Sequence, residues 1–74
     1  MADKFLDCKQ LRCPMPIVKI SQTIKQMSPG ETLEVEAIDP AFKADVKAWV
    51  QQLGHELVEF TNGAVQKAVI KKVR

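Results

Sequence analysis

The sequence predicts an α/β (α+β) two-layer sandwich of order β-α-β-α-β-β, in which two helices pack on one face of a four-stranded mixed sheet. Two segments repeat apolar residues every three or four positions, as amphipathic helices do, and a segment between them alternates apolar and polar residues, as a half-buried strand does. With 74 residues, the chain predicts a single domain over residues 1–74. A core of this size leaves no room for a deep pocket, so a shallow surface site is expected.

The first two elements are a short strand and a helix. Residues 4–7 predict the strand. The helix is predicted from about Pro14, because proline is favoured in a first helical turn, to Met27, ahead of the stop signal at residues 28–30. Its apolar stripe consists of Ile17, Ile20, Ile24 and Met27.

The next strand is predicted at residues 32–38, where Leu33, Val35 and Ala37 alternate with glutamates. Its connection to the first strand runs through a helix. Such connections are right-handed crossovers between parallel strands, so these two strands are expected to be parallel.

The second helix is predicted to begin with Asp39 as its N-cap and Pro40 at its first position. It runs to Leu53, and Gly54 is expected to end it in the left-handed conformation. Loss of the Asp39 cap is expected to cost ~1 kcal/mol of stability. The apolar face of this helix comprises Phe42, Val46, Trp49, Val50 and Leu53.

A hairpin follows. Residues 56–61 and 64–73 predict its strands, and Asn62-Gly63 predicts a tight turn between them, since both residues tolerate positive φ. The late basic residues are interpreted as a solvated strand edge kept soluble by its charges. They are Lys67, Lys71, Lys72 and Arg74.

Composition argues against several classes of protein. The net charge of +2 is too small to favour nucleic acid or membrane binding. There is no apolar run of signal-peptide or membrane-spanning character, so a cytoplasmic location is expected. In that compartment two cysteines favour chemistry or burial over a structural disulfide.

The stretch that indicates chemistry is Cys13-Pro14-Met15-Pro16 at the predicted start of the first helix. The thiolate is the reactive form of cysteine, and a helix N-terminus favours an anion through its unpaired amides and partial positive charge. Pro14 and Pro16 stiffen the turn, and Arg12 and Lys9 are expected to add positive potential. The alternative is a small buried cysteine that happens to precede a proline.

Five blocks of residues occur in an order that is specific when they are taken together. They are Leu6-Asp7, Leu11-Arg12-Cys13-Pro14-Met15-Pro16, Pro29-Gly30-Glu31, Asp39-Pro40 with Lys43 and Asp45, and Gly54-His55-Glu56-Leu57. With these blocks the sequence resembles the TusA-like (SirA-like) sulfur-carrier family over nearly its whole length.

The resemblance implies that Cys13 accepts sulfur as a persulfide from a donor such as a cysteine desulfurase or rhodanese, and passes it to an acceptor protein. The relay it serves would be tRNA thiolation, molybdenum-cofactor enzymes or sulfur oxidation. No cofactor is implied beyond the covalent persulfide. At the family-matched positions Lys43 and Asp45, the resemblance implies side chains that steer partners or contact the Cys13 loop. From the residues alone, Lys43 and Asp45 are interpreted as an ordinary solvated pair of charges.

The sequence departs from the family at two positions. Gln10 stands where many members have glycine, which affects the conformation expected for this loop. Cys8, five residues before Cys13, is found in only some members. It is interpreted as a buried residue at a strand end, with a resolving or regulatory thiol as the alternative.

The remaining candidate ligands form no site by spacing. Two cysteines and one histidine supply three metal ligands with no paired C-x2-C, so no metal is expected. His55 is interpreted as a surface histidine at a strand start, because a general base would have to approach Cys13.

Two other functions compete with the persulfide carrier. A nucleic-acid-binding or regulatory module of similar two-layer fold is one, although no aromatic residue is interleaved with the basic ones. A redox protein using Cys8 and Cys13 as a dithiol is the other, although the pair lacks C-x-x-C spacing.

Overall fold

A computed structural model describes residues 3–12 and 15–74, so the predictions for Cys13 and Pro14 fall outside the described residues. The elements follow the predicted order. They are β1 Lys4–Cys8, α1 Met15–Lys25, β2 Thr32–Ala37, α2 Phe42–Leu53, β3 Glu56–Thr61 and β4 Gln66–Lys71.

The four strands form one mixed sheet of order β1-β2-β4-β3. β1 and β2 are parallel, as predicted, and the other two pairings are antiparallel. Cys8 lies opposite Ala37, and Ala37 lies opposite Gln66. The ends of β1 and β2 and the start of β4 therefore lie along the same edge of the sheet.

Both helices cover one face of the sheet, which confirms the predicted two-layer sandwich. In β2 the side chains of Leu33, Val35 and Ala37 are fully buried, while the residues between them stay partly exposed. α1 and α2 also contact each other, which helices on opposite faces would not do. Burial of this apolar area is the main driving force for the fold.

The predicted apolar stripes hold, except at the last residue of the second one. Ile20, Ile24 and Phe42 are buried between the layers, and Ile17 and Trp49 pack partly buried against them. The prediction for Leu53 was wrong, because its side chain is 45% exposed. It is the last residue of α2.

The start of α2 differs from the prediction. The N-cap residue is Ala41, which makes no side-chain capping bond, and the helix begins at Phe42. Asp39 accepts the Ala41 N–H on its carboxylate (2.9 Å) and the Phe42 N–H on its carbonyl oxygen (3.0 Å). Pro40 therefore lies in an Asp-initiated turn that leads into the helix, and not at its first position.

The two helices end in different ways. Gly54 ends α2 with φ +77°, and its N–H donates to the Val50 carbonyl oxygen, as expected of a left-handed cap. α1 ends at Lys25 and not at Met27, although Met27 remains buried. The ammonium of Lys72 donates to the carbonyl oxygens of Ile24 (2.8 Å) and Met27 (2.6 Å), which satisfies acceptors that a helix end leaves open.

The hairpin prediction was correct in its strands and wrong in its turn. β4 begins at Gln66, so the connection spans residues 62–65 and is longer than the predicted tight turn. Gly63 is not among the residues with positive φ. β4 is an interior strand with β2 and β3 on either side, so the interpretation of the late basic residues as belonging to a solvated edge strand was also wrong.

The helices within residues 3–12 and 15–74 do not meet the requirements of a membrane-spanning helix. No helix there has the length and apolar character needed to cross a bilayer.

Replacing Ile20 with alanine is expected to lower the free energy of unfolding by about 2–5 kcal/mol, because the side chain is fully buried between the layers. Val18→Ala in the same helix is the control, since Val18 is 39% exposed and its loss should change stability by less than about 0.5 kcal/mol. Urea denaturation followed by circular dichroism measures both variants. Equal losses in the two would contradict the arrangement of the layers.

Candidate functional site

A surface groove lies at the edge of the sheet where the parallel strands β1 and β2 end. It has a volume of about 530 Å³ and is lined by residues 9–12 and 38–40, the segments that follow these two strands. Open α/β sheets commonly place their ligands outside the carboxyl ends of parallel strands. The expected shallow surface site therefore has a counterpart here, and one of its walls leads directly to Cys13.

The wall formed by residues 9–12 is folded by local hydrogen bonds. The Lys9 N–H donates to the Asp7 carboxylate (3.0 Å), and the Leu11 N–H donates to the Cys8 carbonyl oxygen (3.0 Å). Across the described chain no residue other than glycine has positive φ. Gln10 therefore forms this turn without the conformational freedom of glycine, so its departure from the family pattern leaves this turn intact.

Lys9 does not supply the free positive potential that the sequence suggested. Its ammonium donates to the Glu36 carboxylate at 3.0 Å and lies 3.5 Å from the Asp7 carboxylate. The hydrogen bond to Glu36 is the main cause that raises the pKa of Lys9, and the charges of both carboxylates add to it. This charge ties the first wall to the sheet.

Arg12 and Met15, the residues that flank Cys13 and Pro14 in the sequence, are joined by a backbone hydrogen bond. The Met15 N–H donates to the Arg12 carbonyl oxygen at 2.7 Å. The Arg12 side chain is exposed and lines the groove. Pro16 is fully buried in the first turn of α1. The electrostatic role expected for Arg12 stays a prediction.

The second wall is held by a residue that the sequence interpretation missed. The side-chain amide of Gln66 donates to the Asp39 carbonyl oxygen at 2.8 Å. Gln66 is only 7% exposed. It occupies the inward register of β4, followed by buried Ala68 and Ile70. The sequence carried one signal for this bond: Gln66 stands at a position of β4 where the alternation predicts a buried apolar residue. A buried amide needs a hydrogen-bond partner.

The family-matched residues of α2 do not line the groove. The Lys43 ammonium lies 5.8 Å from the centre of the Phe60 ring, on the edge strand farthest from β1. Asp45 is partly buried, and its N–H donates to the Ala41 carbonyl oxygen (3.0 Å) in the first turn of the helix. Contact of either side chain with the Cys13 segment stays a prediction.

Cys8 is a core residue. Its side chain is fully buried at the end of β1, and its thiol is free. Burial is the main cause that raises the pKa of this thiol, the charge of Asp7 raises it further, and Lys19 partly offsets both. The interpretation of Cys8 as a buried strand-end residue is confirmed, and its thiol is poorly suited to nucleophilic attack.

His55 lies at the opposite edge of the sheet from the groove. It precedes β3, whose first residue pairs with Lys71 at the far end of β4. Its Nδ1 accepts the Val73 N–H (3.2 Å), and its ring lies 5.6 Å from that of Trp49. Burial, Lys72 and Arg74 lower the pKa of His55, which favours the neutral form, and the residue lies far from the groove.

Metal ligation has no candidate site in the part of the chain that the structure describes. No group of three or more His, Cys, Asp or Glu side chains is placed there to hold an ion.

The fold resembles that of a known class of small α/β proteins. A SirA-like protein from Desulfitobacterium hafniense superposes with a TM-score of 0.82, covering 96% of this chain and 99% of that one. Its sequence is 14% identical, so this likeness concerns the fold.

The sequence comparisons place the chain within a family. The family model described as "Sulfurtransferase TusA" matches residues 4–72. A relative of nearly the same length, named "Putative sulfur carrier protein YrkI" in Bacillus subtilis (strain 168), is 43% identical over 72 residues, which is 96% of each chain. This chain therefore belongs to the TusA sulfurtransferase family.

Two further relatives are longer proteins. "Putative sulfur carrier protein YrkF" of Bacillus subtilis (strain 168) is 49% identical over 51 residues, or 69% of this chain and 28% of that protein. A "Putative sulfur carrier protein" of Aquifex aeolicus (strain VF5) is 39% identical over 57 residues, or 77% of this chain and 29% of that protein. The aligned region thus spans less than a third of each.

In a Cys13→Ser variant, Cys8 is the remaining thiol of the chain, and it is expected to react with iodoacetamide at least about tenfold more slowly in the native protein than in urea. The reason is that the side chain is fully buried and its pKa is raised. Mass spectrometry of alkylated protein against time measures both rates. Equal native and unfolded rates would show that Cys8 is accessible.

Proposed function

We propose that this protein is a sulfur carrier that accepts sulfane sulfur as a persulfide on Cys13 and passes it to a partner protein. Membership of the TusA family supports the carrier role. The observation that carries the choice of residue is the full burial of Cys8. The chain has two cysteines, and burial removes this one from contact with any partner.

The transfer needs only two sulfur nucleophiles. The Cys13 thiolate attacks the outer sulfur of the donor's persulfide, a new S–S bond forms on Cys13, and the donor's S–S bond breaks as its cysteine leaves as a thiolate. Onward transfer repeats the exchange, with Cys13 as the leaving thiolate. The electrons balance without an external oxidant or reductant, so the proposal requires no metal or organic cofactor.

The position of Cys13 favours this chemistry. It precedes the first residue of α1 by two positions, where the partial positive charge of a helix N-terminus stabilises a thiolate or a persulfide anion. Arg12 adds a cation beside it in the chain. A modest stabilisation suits a carrier, because a strongly stabilised persulfide would be a slow donor.

The proposed partners are proteins on both sides of the relay. A cysteine desulfurase or a rhodanese is the proposed class of donor, and an acceptor protein with its own reactive cysteine takes the sulfur onward. The relay serves tRNA thiolation, cofactor synthesis or sulfur oxidation, and the proposed compartment is the cytoplasm, where thiols stay reduced.

The redox-pair alternative is disfavoured by the structure of the first strand. A dithiol mechanism requires both sulfurs to exchange with a substrate, whereas Cys8 is fully buried with a raised pKa. The proposed role of Cys8 is accordingly to fill the core at the end of β1.

Incubation with a desulfurase and cysteine, or with a rhodanese and thiosulfate, is expected to add the mass of one sulfur atom to the wild-type protein and to Cys8→Ser. The Cys13→Ser variant is expected to gain none. Intact-protein mass spectrometry under non-reducing conditions measures all three, and reduction with dithiothreitol should remove the added sulfur.

The two single variants serve as controls for each other, because each retains one thiol. No loading of the wild-type protein by either donor would contradict the carrier role. Equal loss of loading in Cys8→Ser and Cys13→Ser would instead show that the two thiols work together.

A further inference from the structure

Gln66 is a buried polar side chain without a part in the transfer chemistry proposed above. It is the one buried polar or charged residue within residues 3–12 and 15–74. Its amide reaches across from β4 to the Asp39 carbonyl oxygen, 27 residues away in sequence. A leucine or valine would suit this register of the strand better, so the hydrogen bond is the evident reason for glutamine here.

The bond fixes the segment that forms the second wall of the groove. Asp39 sits at its centre, with its carbonyl oxygen accepting from Gln66 and Phe42 and its carboxylate accepting from Ala41. Of these three donors, Gln66 alone comes from the sheet. Its bond therefore ties residues 38–40 to β4, whereas the other two bonds shape the turn internally.

The opposite wall is tied to the same sheet by different bonds. Lys9 binds Glu36 on β2 through its ammonium, and the Leu11 N–H donates to the Cys8 carbonyl oxygen at the end of β1. Each wall of the groove is thus tied to the sheet by its own hydrogen bonds. The anchored wall of residues 9–12 continues directly into Cys13.

We propose that Gln66 is a positioning residue for sulfur transfer, which holds residues 38–40 so that the groove fits the segment of a donor protein that brings its persulfide to Cys13. This inference rests on the proposed carrier function. Gln66 does not touch the reacting sulfurs. Its effect appears in how well a protein donor binds, and not in the reactivity of the Cys13 thiol.

Gln66→Leu removes the N–H group that donates to the Asp39 carbonyl oxygen and puts an apolar side chain of similar size in its place. The KM for whichever protein donor loads the wild type is expected to rise about three- to tenfold with kcat within about twofold, since one hydrogen bond that orders the binding surface is lost. The rate at which iodoacetamide alkylates Cys13 should stay within about twofold. Gln51→Leu is the matched control, because Gln51 is exposed on α2.

Gln66→Glu distinguishes a positioning role from a purely structural one through the pH dependence of KM. An ionised carboxylate offers the Asp39 carbonyl oxygen no proton, whereas a protonated carboxyl donates from the same position. Burial raises the pKa of a carboxyl, which brings the protonated form into an accessible range. The ratio of variant to wild-type KM should therefore be high above the pKa of the introduced carboxyl and return toward one below it.

The outcomes separate the two proposals. Failure of the wild type to take up sulfur from either donor would overturn the carrier function, and this inference with it. A wild type that loads, with Gln66→Leu losing thermal stability but keeping its KM, would overturn the inference alone. A KM ratio for Gln66→Glu that stays constant while the introduced carboxyl titrates would also overturn it.

Discussion

The parallel pairing of β1 with β2 is the constraint on which the rest of the structure depends. Parallel neighbours end at the same edge of a sheet, so the chain must cross back over one face between them, and α1 is that crossover. Two consequences follow together. The segment carrying Cys13 leaves the sheet at the edge where residues 38–41 also leave it, and α1 must begin just beyond that segment. The groove is the space between these two exits.

The same pairing separates the roles of the two thiols. Cys8 is the last residue of β1 on the face covered by the helices, so the layer that stabilises the fold also buries this sulfur and raises its pKa. Cys13 follows five residues later in the sequence, and the first residue of α1 lies two positions beyond it. Core packing removes Cys8 from chemistry, whereas the role proposed for Cys13 uses the charge of a helix start, where an anion is favoured.

Most of the fold could be predicted from the sequence, because the positions of Ile20, Leu33 and Val46 in their periodic patterns reflect burial directly. Errors concentrated where local signals compete with tertiary contacts. Asp39 carries the chemistry of an N-cap, yet it forms the turn before the helix, where Gln66 holds its carbonyl oxygen. Lys9 looked like a free cation until the parallel pairing brought Glu36 beside it. Neither contact is visible before the strand order is known. Of the site, the motif around Cys13 was evident from sequence, whereas the groove and its anchors were not.

The proposed carrier function depends most on Cys13 being an activated thiol. Its pKa is measured directly in Cys8→Ser by following thiolate absorbance in the ultraviolet, or the rate of alkylation, against pH. The proposed function predicts a value below the ordinary cysteine pKa of about 8.5, by less than about one unit if the helix field acts alone and by more if backbone amides or Arg12 contribute. A pKa at or above that of free cysteine, in a protein that also gains no sulfur mass, would contradict it.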